Sequence, residues 1–174
     1  MLQKGFSLIE IVVALALASL LMLFASTSFG ELLQSTRRLD AAQMLASGIR
    51  NARTEAILRQ QRTVIHGVND DWSQGWRIIL DISGEGSQDS DNPVLLERRG
   101  DARVAIVGNR PVQHYVRFSG LGDPHLPSGA FQAGTLHICA VESGVSQHQV
   151  VLSRSGRVSL RSDKTAQALC DERG

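Results

Sequence analysis

The chain is poor in the residues that staple or interrupt a fold. Its 174 residues include two cysteines, four prolines and one tyrosine, aromatic residues make up 5%, and the formal net charge is only +1. Two cysteines exclude a disulfide-dense miniprotein, and 43% hydrophobic with 20% charged residues excludes a disordered or collagen-like chain. The balanced charge gives no global case for nucleic acid or an acidic partner, so any such case rests on local segregation. No enzyme constellation stands out either. The histidines His66, His114, His125, His137 and His148 are scattered, with no Gly-x-Ser-x-Gly, no C-x-x-C and no phosphate-binding glycine loop beside them.

What is present is unevenly placed. Residues 11–25 read IVVALALASLLMLFA, apolar except for Ser19, and this is the one segment suited to a bilayer. A secretory signal also joins a basic start to an apolar stretch, and Ala14-x-Ala16 or Ala16-x-Ala18 would serve as its cleavage site. Cleavage there would leave Leu20-Leu21-Met22-Leu23-Phe24 exposed on the product. Glu10 argues the same way, because a carboxylate at the edge of a membrane segment is costly unless paired.

A short leader with Lys4, then Gly5-Phe6-Ser7-Leu8-Ile9-Glu10 and an apolar helix, resembles the class III signal of type IV pilins and type II secretion pseudopilins. The resemblance implies that a prepilin peptidase cuts after Gly5 and methylates Phe6, which makes Glu10 the fifth mature residue. Residues 1–5 are then a leader, and residues 6–29 a transmembrane and filament-core helix. The freed amine can neutralise Glu10 in its own chain or on a neighbouring subunit, offsetting part of the desolvation cost.

The helical pattern continues past the membrane segment. Leu32, Leu33, Leu39, Ala42, Leu45, Ile49, Ala52, Ala56 and Ile57 fall mostly at steps of three and four, so residues 30–62 read as an amphipathic second half. One helix over 6–61 would be roughly 80 Å long at 1.5 Å per residue. Gly30 and Gly48 allow a bend, and no proline precedes Pro93. Arg37, Arg38, Arg50, Arg53, Arg59 and Arg62 read as a solvated helix face.

After Gln61 the period changes to two. Short runs at 63–68, 75–82, 93–98, 104–107, 115–118, 135–139, 149–153 and 157–160 are separated by glycine, serine, aspartate and proline. Trp76, Ile78, Leu80 and Ile82 share one face of their run, read as core, and Trp72 with Trp76 reads as large core residues under a turn. The expected fold is α+β: a long N-terminal helix whose second half packs on one antiparallel sheet region, residues 63–174. Asp71-Trp72-Ser73-Gln74-Gly75-Trp76, a strand ending at Asp81, a polar loop to Asn92 and the late Ser155-Gly156-Arg157-Val158 resemble the GspH/FimT family of minor pilins and minor pseudopilins. With the N-terminal signal this spans nearly the whole chain, though residues 104–134 carry little that matches.

Four acids among glycines in residues 81–91 raise the question of calcium, but the EF-hand spacing is absent, and a solvated loop is the better reading. No metal or other cofactor is expected. Cys139 and Cys170 form an even pair in an exported domain and are expected to join, pinning the C-terminal tail. His137, between Leu136 and Ile138, is expected to face out of its strand.

Residues 151–164, VLSRSGRVSLRSDK, are locally basic: Arg154, Arg157, Arg161 and Lys164 meet only Asp163. With a turn at Ser155-Gly156, Arg157, Ser159 and Arg161 share one strand face, a row able to contact DNA phosphates without reading bases. FimT-like pilins of competent bacteria bind DNA through a Gly-Arg-x-Arg motif in this region; here Gly156-Arg157-Val158-Ser159 lacks the second arginine, and Arg161 comes two residues late. A solvated hairpin face is the competing reading.

The resemblance thus implies a structural, non-enzymatic subunit. It would be anchored by one pass in a bacterial inner membrane with its C-terminal domain in the periplasm, and would assemble with other pilins or pseudopilins. A minor pilin that initiates or caps a type IV pilus, a minor pseudopilin of a type II secretion system and a DNA-binding pilin are its three forms.

Overall fold

The computed structural model describes residues 7–140, 142 and 144–171, with the backbone alone for 20–28. One helix, α1, runs Leu8–Arg59. Strands follow as β1 (Thr63–Val68), β2 (Asp71–Leu80), β3 (Val94–Arg99), β4 (Ile106–Gly108), β5 (Tyr115–Phe118), β6 (Gly134–Cys139), β7 (Val145–Leu152), β8 (Val158–Arg161) and β9 (Thr165–Ala166). The chain divides into two compact units, Met1–Arg37 and Arg38–Gly174.

In the first unit, the described part of α1 starts on Ser7. The Ser7 carbonyl accepts the Glu10 and Ile11 amides at 3.0 and 3.3 Å, and Glu10 Oε2 accepts the Ser7 amide at 3.2 Å. This is half of a capping box, with the carboxylate at the positive end of the helix dipole. Leu8, Ile9, Ile11, Val12, Val13, Leu15, Leu17, Phe29, Leu32 and Leu33 are all exposed. Among the described residues no helix is long and apolar enough to cross a membrane. The expected span over 6–29 includes Phe6 and the side chains of 20–28, which lie outside them.

The second unit is built on the rest of the helix. Ala42, Leu45, Ala46, Ile49, Ala52 and Ala56 are at most 1% exposed, a single stripe at three- and four-residue steps. Against it pack Ile65, Trp72, Trp76, Ile78, Val116 and Phe118 from one group of strands and Ile106, Leu136, Ile138, Val150, Leu152 and Val158 from another, in one cluster. The alanines let these bulky residues come close. At Gly48 the approach is closest, because a Cβ there would meet the Trp76 ring at 2.7 Å.

The strands form two antiparallel sheets instead of the single region that strand spacing suggested. One has order β3-β2-β1-β5, and the other β4-β6-β7-β8 with β9 beside β7. They are linked where Ser73 Oγ accepts the Ile106 amide at 3.0 Å, a contact between β2 and β4 that no local pattern announces. The Trp72 indole donates to the carbonyls of Val112 and Gln113, and Thr63 Oγ1 donates to the Ala52 carbonyl at 2.7 Å. Both tryptophans are core, as expected. Ile82 is exposed, because β2 ends at Leu80 before the inward alternation reaches it.

Residues 104–134, in which little was legible from sequence, are organised by Gln132. It is fully buried, accepts the Arg117 amide at 2.9 Å and donates to the carbonyls of Pro111 and Tyr115. The C-terminal tail is pinned by the Cys139–Cys170 disulfide, which packs with Val107, Ala105 and Leu169 in a second small cluster. The bridge closes a separation of 31 residues. Replacing both cysteines by serine is expected to cost roughly 3 to 4 kcal/mol of stability, measured by chemical denaturation in detergent.

Candidate functional site

The basic segment is a hairpin. The Ser153 amide donates to the Arg157 carbonyl at 2.9 Å and the Gly156 amide to the Ser153 carbonyl at 3.0 Å, so β7 and β8 join through a tight turn at Ser155-Gly156. Gly156 has φ +75°, and a Cβ there would meet the Gly122 carbonyl at 2.7 Å and Arg53 Nε at 2.9 Å. Only glycine suits that combination. In the ladder Val158 faces Leu152 and Arg161 faces Gln149, which puts Arg157, Ser159 and Arg161 on one face. Val158 is buried, whereas Arg154, Arg157, Arg161 and Lys164 are all exposed.

Of the helix arginines, Arg50 bonds to this hairpin and Arg53 to the loop at Gly122 that lies against Gly156. Arg53 Nε donates to the Gly122 carbonyl at 2.9 Å and Arg50 Nη2 to the Val158 carbonyl at 3.2 Å. Arg38 is buried. The helix arginines are therefore only partly the solvated face that charge pattern suggested, because loop carbonyls returning from far along the chain need donors. The structure brings Arg50 beside β8, a neighbour that sequence separation of 108 residues concealed.

The processing residues Gly5 and Phe6 lie outside the described residues. Glu10 is exposed and bonded to the helix start as described above.

The family model described as Type II transport protein GspH matches residues 41–156, two thirds of the chain. This protein belongs to the GspH family. A second model, the prokaryotic N-terminal methylation motif, matches residues 1–26. Two crystal structures of the type IV minor pilin FimU from Pseudomonas aeruginosa share the fold. In space group P21 the TM-score is 0.60 at 18% identity, covering 78% of this chain and 97% of FimU. In space group P65 it is 0.57 at 20%, covering 75% and 98%. No curated protein matches the chain. The GspH family is one of type IV pilin-like minor pilins and pseudopilins, structural subunits that assemble with others of their kind.

In this GspH-family chain the acidic loop is partly structural. Asp81 is buried, its Oδ1 accepts the amides of Gly84 and Gly86 at 2.9 and 3.0 Å, and its Oδ2 lies 3.4 Å from Arg117 Nε and 3.8 Å from Arg62 Nε. Asn92, also buried, donates to the Gly86 carbonyl and accepts the Ile82 amide. The loop's two ends are therefore anchored, where a solvated loop was expected. Among the described residues no three His, Cys, Asp or Glu are grouped to hold a metal.

His137 also departs from expectation. It points away from the helix, yet it is buried, because the C-terminal segment covers that face: Gln167 donates to Nε2 at 3.0 Å, and Nδ1 pairs with Ser146 Oγ at 3.1 Å. Burial holds His66, His137 and His148 below the usual histidine range, with the Arg38 charge adding to the effect at His148. Above about pH 6.5 these imidazoles are neutral in folded and unfolded chains alike. Below it the unfolded chain binds protons that the folded chain does not, so stability falls with pH. Thermal unfolding between about pH 7.5 and 5.5 should show this decline, with a shallower slope in His137→Gln.

Proposed function

We propose that this chain is a minor pilin of a type IV pilus that initiates or caps assembly. Residues 6–29 anchor it in a bacterial inner membrane with residues 63–174 in the periplasm. Prepilin peptidase cleaves after Gly5 and methylates Phe6, and Glu10 then pairs with a mature amine in the filament. The observation that carries this reading is the helix that displays Leu8, Ile9, Ile11, Val12, Val13, Leu15 and Leu17 to its surroundings within the N-terminal methylation motif. Contiguous apolar surface of this kind fits lipid or other helices and not water. The likeness of fold to FimU favours a pilus.

The description of the matching family supports a second assignment, a minor pseudopilin of a type II secretion system. Gene deletion distinguishes them. Loss of surface pili or twitching is the expected result, and loss of exoprotein export with intact pili would transfer the chain to secretion. In either case the mature chain should begin at methylated Phe6, and another N-terminus on mass spectrometry refutes the processing scheme.

The exposure of Arg154, Arg157, Arg161 and Lys164 on one hairpin favours a further role, DNA binding through phosphates. Binding of duplex DNA by the full chain in detergent should weaken with salt and weaken further in the Arg157→Ala, Arg161→Ala double variant. Unchanged affinity in that variant, or no binding at low salt, removes this role.

A further inference from the structure

One face of the β3-β2-β1-β5 sheet packs on the helix, and the other is covered only in part. Strand register defines the rows on that outer face. Arg117, Val64 and Ile79 stand side by side in one row, and Tyr115, His66, Arg77 and Glu97 form the next. The segment from Asp81 to Asn92 folds back over the first row. Asp81 Oδ2 lies 3.4 Å from Arg117 Nε, a Cβ at Gly86 would meet Val64 Cγ2 at 3.9 Å, and Val64 and Ile79 are buried.

The second row is left beside the edge of that segment, at a cleft of about 490 Å³. His66 and Tyr115, paired across β1 and β5, line it, together with Gln88 of the covering segment, Asn69 and Asp70 of the β1–β2 turn, and His114. The volume falls in the range of about 300–1,000 Å³ that small-ligand sites occupy. Arg77, the next member of the row, does not line the cleft and is tied to Glu97 at 2.7 Å.

Bonds already made within the fold set the chemistry of the lining. The Gly67 carbonyl can only accept, so His66 Nδ1, 2.9 Å away, carries the proton and donates to it. Burial disfavours a second proton on this imidazole, which leaves Nε2 an acceptor at neutral pH. Asn69 commits Nδ2 to Gln74 Oε1 at 2.9 Å and keeps its carbonyl oxygen as an acceptor. Asp70 adds a carboxylate, while the Gln88 amide and the Tyr115 hydroxyl both donate and accept.

No lysine or arginine lines the cleft, so a phosphate or carboxylate finds no counter-charge there. An apolar ligand would desolvate these groups without replacing their hydrogen bonds. A ligand rich in hydroxyls matches both the acceptors and the mixed groups, and the Tyr115 ring offers an apolar face for its C–H groups. We propose that this cleft binds a neutral carbohydrate of one or two sugar rings. Every lining residue belongs to the globular unit, so binding needs neither the apolar helix nor the basic hairpin and is independent of which assembly the chain joins.

The test uses the full chain in micelles of a phosphocholine detergent, which has no sugar headgroup. Maltose, lactose and diacetylchitobiose are titrated while the imidazole signals of His66 and the ring signals of Tyr115 are followed by NMR. At least one sugar should move both sets saturably. Gln88 and Asp70 are exposed, and Asn tolerates the positive φ of position 70, so Gln88→Ala and Asp70→Asn should leave the melting temperature unchanged. Each should weaken sugar binding about three- to tenfold, the scale of one hydrogen bond. Arg161→Ala on the hairpin should bind as the parent does.

No saturable shift with any of the three sugars overturns the proposal. Shifts with the diamine putrescine and none with sugars replace the carbohydrate by an amine ligand of Asp70. Sugar affinity unchanged in both Gln88→Ala and Asp70→Asn removes the site from this cleft.

Discussion

The structure depends on the close approach of two sheets to one narrow helix stripe. Four of the six fully buried stripe positions are alanines, Ala42, Ala46, Ala52 and Ala56, and Gly48 lies among them under the Trp76 ring. Small side chains on the helix let large ones from β1, β2, β5, β6 and β7 reach its surface and interdigitate there. Leucines at those positions would hold the sheets away, and both tryptophans would lose their packing. Every other feature is arranged around this contact.

Bringing strands so close to a helix buries loops and carbonyls that must be satisfied. The chain meets this need with long polar side chains reaching across the fold. Arg53 and Arg50 serve carbonyls at Gly122 and Val158, Gln132 ties three segments together, and Gln149 donates to the Asp163 carbonyl beside the C-terminal tail. Asp81 gathers two amides and two arginines beneath a glycine-rich loop. These contacts explain part of why a chain of near-zero net charge carries so many arginines: several are structural donors, and exposed ones are spread over the helix, β3, the loops and the β7–β8 hairpin.

The N-terminal unit follows the opposite rule. Its described apolar side chains are displayed, and Glu10 closes on the helix start. Such a surface is completed only by lipid or by other subunits, which agrees with membership of a family that works by assembly. The globular unit then has fewer apolar residues for its own core than the total suggested, which gives the disulfide and the polar ties more of the work of holding the tail.

The sequence by itself determined whatever depends on neighbours along the chain. Period 3.6 gave the helix, period two gave eight strands within a few residues, Ser155-Gly156 marked a turn, and two cysteines in a domain expected to be exported implied their bond. The N-terminal motif needed only six consecutive residues. Tertiary structure alone decided which surfaces meet. Alternation in β6 separates His137 from Leu136 and Ile138, but it is silent on whether the tail covers the second face. Charge pattern placed Arg38, Arg50 and Arg53 off the stripe, yet distant carbonyls and His148 set their surroundings. The division into two sheets followed from which strands pair, and one long-range hydrogen bond at Ser73 links them. Periodicity records how a segment is polarised, and only the packed chain supplies what each face is turned toward.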